Sequence, residues 1–433
     1  MKTISFDCSA AGFSEDEIES VARRLLPYMA DLDIVLKTGN WSHPAASILL
    51  PSSDEFANQS LALVKSLPKP SIIVVVGIGG SSLGALAVSQ AVLGTHHNLL
   101  SKPQILFADS PDAPSVHSII EIARSHLKSG GHVVLNVISK SGTTLETIAN
   151  FSAICSALLK GKKDHVHVVA TSDAGSALER WARANVHPTL PIPKMVGGRF
   201  SVFSNVALFP LALAGVDIRA LLSGAKRMRA QCLSKKIGHN PAMCMAAILY
   251  LHHQTGRRIH DHFFFSSDLA GLGLWGRQLQ AESIGKGEHL DGSPARVGLT
   301  PTVSIGSTDL HSMAQLYLAG PSDKFFRLLA VRKASHDISL PRDGMLDSLA
   351  PSASGRTLSS ILSAIYGAVG ATWRAKSIPL VSVGLPDLSA ESVGMLMQEE
   401  MMEAIFLAKL LEVNAFDQPA VELYKKELRK LLS

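Results

Sequence analysis

The segment Ser139-Lys140-Ser141-Gly142-Thr143-Thr144-Leu145-Glu146-Thr147 gathers five hydroxyls, four of them at 139–144, and a lysine where an apolar strand pattern at 135–138 gives way to a helical one. Thr143 and Glu146 have capping-box spacing, which predicts that the helix opens there. A cap accounts for one threonine and the glutamate, but not for the other hydroxyls. Hydroxyls, free N–H groups and the positive end of a helix dipole together suit a phosphate. The pattern lacks the Gly-x-x-x-x-Gly-Lys-Ser/Thr of a nucleotide-triphosphate loop, so it points to a phosphorylated metabolite.

Other segments offer chemistry that is weaker in isolation. Gly77-Ile78-Gly79-Gly80-Ser81-Ser82-Leu83-Gly84 also lies between a strand and a helix pattern, and Asp109 follows the next strand. A dinucleotide fingerprint wants glycine where Ser82 stands, so an anion loop and a tight turn remain equally open. Gly197-Gly198-Arg199-Phe200-Ser201 could bring a fixed cation against a developing oxyanion. Glu282 falls in the last turn of a helix that Gly285 ends, where the dipole opposes its charge; in a cleft it could act as a base. Thr308 or Asp309 can cap a helix that sets His311 in its first turn, where the dipole favours neutral imidazole. Asp417 or Gln418 caps a last helix with Pro419 in its first turn. Gln418, Glu422 and Lys425 then share one face at i, i+4 and i+7, with Glu422 placed to pair Lys426. His260 and His262 point the same way on a strand, but no third metal ligand is apparent, so the structural reading is preferred and no metal is expected.

The elements that must position these residues alternate. Strand patterns at 72–76, 104–108, 132–139 and 166–170 are each followed by helical ones, which implies a doubly wound parallel sheet. A second round follows a helical region at 205–223. Its candidate strands are 259–265, 301–305, 326–331 and 379–383, and its helices lie near 274–283 and 310–318. One helix is expected over 14–29, capped by Ser14, and further helices at 398–411 and 419–432. The fold class is α/β: two doubly wound parallel-sheet units with helical N- and C-terminal extensions. The expected division is an N-terminal helical arm at 1–50 packing on the second unit, a first unit at 51–200, a second at 201–400 and a helical segment at 401–433.

Composition narrows the class. Of 433 residues, 46% are apolar and only 18% charged, and the mean hydropathy is +0.21. Residues 71–101 carry no Lys, Arg, Asp or Glu, a run longer than the roughly 20 residues that span a bilayer. The glycines and hydroxyls at 77–84 interrupt it, and Ile72 to Val76 read better as a strand buried on both faces. The start shows no secretory h-region, and the four cysteines have no Cys-x-x-Cys spacing; both fit a reduced, cytoplasmic protein. A net charge of +5 without a dense basic block argues against nucleic acid as a partner.

Taken together, GIGGSSLG at 77–84, SKSGTTLET at 139–147, GGRFS at 197–201, QLQAESIGK at 278–286, STDLHS at 307–312 and NAFDQPAVELYK at 414–425 resemble, in order and content, the glucose-6-phosphate isomerase (phosphoglucose isomerase) family of bacterial type. The resemblance implies two sugar-isomerase (SIS) units in a homodimer, and glycolytic isomerisation of glucose 6-phosphate and fructose 6-phosphate through a cis-enediolate without a cofactor. It implies that Ser81, Ser139, Lys140, Ser141 and Thr144 hold the sugar phosphate and that Gln418 contacts substrate. Glu282 is then the base and Arg199 the enediolate stabiliser. His311, contributed by the partner subunit, opens the ring with help from Lys425. Two departures stand out: Ser307 to Leu310 replace a longer Gly-Thr-Asn-Gly-Gln, and Ala420 stands where glycine is usual. A non-catalytic sugar-phosphate sensor would need the hydroxyl loop but not Glu282, His311 and Lys425. A nicotinamide-dependent dehydrogenase would rest on the 77–84 loop.

Overall fold

The computed structural model describes residues 2–159, 163–342 and 344–432. Its first sheet is centred on strands rich in β-branched residues. Ile72–Val76 and Val133–Ile138 are buried at every position, as strands covered by helices on both faces must be. The sheet runs Gln104–Ala108, Ile72–Val76, Val133–Ile138, Val166–Ser172, Thr189–Pro191, with every pairing parallel. The chain leaves Ile72–Val76 toward one edge and returns on its other side, so the loops after Ile72–Val76 and Val133–Ile138 diverge. Such a switch point opens a crevice at the carboxyl ends of the strands.

The second sheet runs Ser5–Asp7, Leu380–Leu385, Lys324–Val331, Ile259–Phe265, Thr300–Ile305. All its pairings are parallel except that of Ser5–Asp7, which closes the edge antiparallel against Leu380–Leu385. The N-terminal segment therefore begins as a strand of the second sheet. Two doubly wound parallel sheets are thus present, as the alternation requires. The uncharged run at 71–101 resolves into Ile72–Val76, a 3₁₀ turn at Gly79–Ser81, the helix Leu83–Leu93 and the short helix His97–Leu100. No helix among the described residues is long and apolar enough to cross a membrane.

Several expected elements have different bounds. The helix expected over 14–29 is two, Glu15–Arg23 and Leu26–Thr38; Ser14 does form a capping box with Glu17. Pro27 has no N–H for the carbonyl of Arg23, so one continuous helix would lose a bond there. The helix expected near 310–318 breaks at Met313 into Thr308–Ser312 and Ala314–Ala319. The last helix is Val421–Leu432, with Pro419 and Ala420 left in a turn. Helices Asp54–Ser66, Pro241–Gln254 and Leu358–Ala375 had no sequence counterpart.

Candidate active site

The hydroxyl loop sits at the switch point of the first sheet. Thr144, not Thr143, is the N-cap residue, and no side chain caps the helix Leu145–Leu158. Thr143 instead turns back, its Oγ1 donating to Ser141 Oγ (3.2 Å). The expected capping box is therefore absent, and the N–H groups of Leu145, Glu146 and Thr147 have no hydrogen-bond acceptor among the described residues. Ser139 Oγ braces the loop, accepting from Gly142 N (3.1 Å) and lying 2.9 Å from Thr144 Oγ1. Open N–H groups, hydroxyls and the dipole converge on one spot, which is an anion cradle.

Lys140 does not point into that cradle. Its ammonium donates to Lys194 O (2.6 Å) and Val196 O (2.9 Å), and burial pulls its pKa down while Asp173 opposes the shift. Lys140 thereby ties the hydroxyl loop to the segment that leads into Arg199. The two glycine loops interlock beside it. A Cβ on Gly80 would stand 2.1 Å from the carbonyl carbon of Gly198. The close approach a dinucleotide loop reserves for a pyrophosphate is thus taken up at Gly80 by the chain's own backbone, which weakens the nicotinamide reading.

Arg199 is 2% exposed and every branch of its guanidinium is engaged. Nε donates to Ser283 Oγ (3.0 Å). Nη1 donates to Glu282 Oε2 (3.0 Å) and Gln418 Oε1 (2.8 Å). Nη2 donates to Ala415 O (2.6 Å) and Asp417 O (3.1 Å). Burial lowers its pKa, while Glu282 pulls it back up. Glu282 is carried in the last turn of Ala270–Ile284, as expected, with a side chain 31% exposed. Its Oε1 accepts from Gln278 Nε2 (3.0 Å). A carboxylate that reaches solvent while its second oxygen is held by a buried arginine is placed to move a proton at a bound molecule.

The last helix faces the hydroxyl loop across a cleft of about 690 Å³ lined by Ser141, Thr143, Thr144, Glu146, Lys425 and Arg429, among others. Glu422 pairs with Lys425 (2.8 Å) and Arg429 (3.3 Å), not with Lys426 as its spacing had suggested. Lys425 and Arg429 line the cleft from this helix, with side chains 42% and 69% exposed. Arg429 was missed, although it continues the 418, 422, 425 spacing by one more turn. Gln278 was missed as well; its i, i+4 spacing to Glu282 was the available signal. Ser81 sits at the end of the adjoining 3₁₀ turn, with no partner for its hydroxyl among the described residues. His311 is exposed on Thr308–Ser312, and no hydrogen bond among the described residues joins it to Glu282, Arg199 or Lys425. His260 and His262 are buried and both meet Gln280 Oε1 (3.0 and 3.2 Å).

The model of the family described as phosphoglucose isomerase matches residues 68–433. The chain belongs to the phosphoglucose isomerase family. It is 34% identical over 427 residues to a glucose-6-phosphate isomerase of Rubrobacter xylanophilus, covering 96% of this chain and 93% of that one. A glucose-6-phosphate isomerase of Exiguobacterium sibiricum is 31% identical over 453 residues, covering 100% of this chain and 96% of its own. Among solved structures, a hypothetical protein of Thermus thermophilus superposes with a TM-score of 0.87 at 30% identity over the full length of both chains. A glucose-6-phosphate isomerase of Chlamydia trachomatis shares the fold at a TM-score of 0.74 and 24% identity, covering 87% of this chain and 73% of that one.

Proposed function

We propose that this phosphoglucose isomerase family member interconverts glucose 6-phosphate and fructose 6-phosphate. The observation that carries the reading is the Glu282–Arg199–Gln418 cluster, joined to the hydroxyl loop through Lys140 and the 194–196 segment. Aldose–ketose exchange needs a base, a cation for the developing oxyanion and a remote anchor.

The phosphate docks among Ser81, Ser139, Ser141, Thr144 and the free N–H groups, with Lys140 serving through its backbone rather than its ammonium. Glu282 takes the proton from C2 of the open-chain aldose. The C–H electron pair forms the C1–C2 double bond, and the carbonyl pair moves onto O1, giving the cis-enediolate. Arg199, already desolvated and oriented, stabilises that oxygen charge without reorganising. A proton passes from O2 to O1, and as Glu282 returns its proton to C1 the electron pair on O2 forms the ketose carbonyl at C2. Gln418 shares Arg199 Nη1 with Glu282 and contacts the substrate. Ring opening falls to His311, assisted by Lys425. Because His311 is exposed and unconnected to the other groups, we assign it to the site of a second copy, in a homodimer. No cofactor enters these steps.

A coupled assay with fructose 6-phosphate, run with a chelator present, tests the reading. Undiminished conversion is expected. Absence of conversion overturns the reaction, and chelator-sensitive conversion overturns its metal independence.

A further inference from the structure

The helix that carries Glu282 ends abruptly. Gly285 N–H donates to Ala281 O (2.9 Å), and a Cβ on Gly285 would stand 2.6 Å from that oxygen. The chain turns there, and Lys286 folds back beneath the site. Lys286 is 8% exposed. Its ammonium donates to Glu282 O (2.8 Å) and to Asp417 O, and Asp417 Oδ1 lies 3.1 Å away. One acceptor is therefore the peptide carbonyl of Glu282 itself. The other two belong to the residue preceding Gln418.

This placement is not what helix termination alone requires. Last-turn carbonyls are commonly satisfied by water or a C-terminal turn. Burying an ammonium beside the guanidinium of Arg199 is costly. Burial pulls the pKa of Lys286 down, and Arg199 adds to that, while Asp417 opposes it. Meanwhile the loop at 414–418 is built to present Asp417: Asn414 Nδ2 donates to Asp417 Oδ2 (2.8 Å), and Phe416 N donates to Asn414 Oδ1 (3.0 Å). Arg199 grips the same loop from above through Ala415 O and Asp417 O.

We infer that Lys286 is a positioning residue: it locks the backbone of Glu282 to the loop bearing Gln418, fixing the distance between base and substrate contact. The inference rests on the isomerase reading. A parent chain that does not isomerise sinks that reading, whereas an active parent with an unaffected variant sinks only this one. Misplacing a reacting group by about 1 Å costs on the order of 10²-fold. Lys286→Met is therefore expected to lower kcat by roughly 10- to 100-fold while KM for fructose 6-phosphate changes little. Affinity for a phosphorylated five-carbon analogue of the enediolate falls by the same factor as kcat/KM. A kcat within about twofold of the parent in the folded variant overturns the inference. So does analogue titration showing fewer sites, each with parental kcat. Asp417→Ala, at a half-exposed side chain, supplies an independent probe if Lys286→Met does not fold. It should lower kcat by about threefold or more, again without a matching change in KM; an unchanged kcat overturns the inference. Because both side chains act through one contact, the double variant should lose no more than Lys286→Met alone, and additive losses overturn the proposal.

Discussion

Arg199 Nη1 lies 3.0 Å from Glu282 Oε2, and the two partners differ sharply in solvent access: the arginine side chain is 1% exposed and the glutamate 31%. The cation is a fixed part of the interior, held by four other acceptors, while the carboxylate sits where a substrate can reach it. That asymmetry suits a stationary oxyanion stabiliser and a proton carrier.

Glu282→Gln keeps the hydrogen-bonding shape but removes the base. Turnover is expected to fall roughly 10²- to 10⁴-fold. Equilibrium binding of fructose 6-phosphate, measured calorimetrically, should be largely retained. Loss of binding together with activity would make Glu282 structural instead.

Arg199→Lys retains one positive charge but cannot satisfy Ser283, Glu282, Gln418, Ala415 and Asp417 together. Lysine lacks the planar fork that reaches acceptors on three sides. Steady-state kinetics should show kcat lowered by about 10²- to 10³-fold, and a thermal melt should show a lower midpoint.

Gly80→Ala forces a methyl into the backbone of Gly198 and Arg199, where no flexible side chain can yield. Overpacking of this kind costs about 1–3 kcal/mol, and here it also displaces Arg199. Denaturant midpoint and kcat should both fall. Gly287→Ala, where a Cβ meets nothing within 4 Å, serves as the control and should change neither.

Glu400 is buried with no hydrogen bond to either carboxylate oxygen, and burial pushes its pKa from 4.5 up to about 7. Arg327 opposes that shift and Glu399 reinforces it. The fold thus favours the protonated form. Its contribution to stability is full below the unfolded value near 4.5 and is lost as pH rises through about 7. Glu399 and Glu403 are raised by burial as well, so they act in the same sense. Glu400→Gln should flatten the parent's loss of stability across that window and raise the urea midpoint at pH 8. A midpoint equal to or below the parent's at pH 8 would contradict this.

Much of the fold was legible because it is local. The runs at 72–76 and 132–139 read as strands, the first buried on both faces, and their alternation with helical patterns implied a parallel sheet. The residue types of the site were legible for the same reason: hydroxyls at a strand end, arginine after two glycines and glutamate before a terminating glycine each mark a local backbone geometry. What the sequence could not settle was which partner each side chain takes. Arg199 and Gln418 are 219 residues apart, yet they share a hydrogen bond at 2.8 Å. Lys140 stands among hydroxyls in sequence but donates to carbonyls 54 and 56 residues away. Glu422 had three cations within reach along its helix, and it took Lys425 and Arg429. Long side chains reach several acceptors, and only the packing of distant segments removes the alternatives. Sequence alone determined the strands, loops and chemical groups; tertiary structure decided which of those groups face one another.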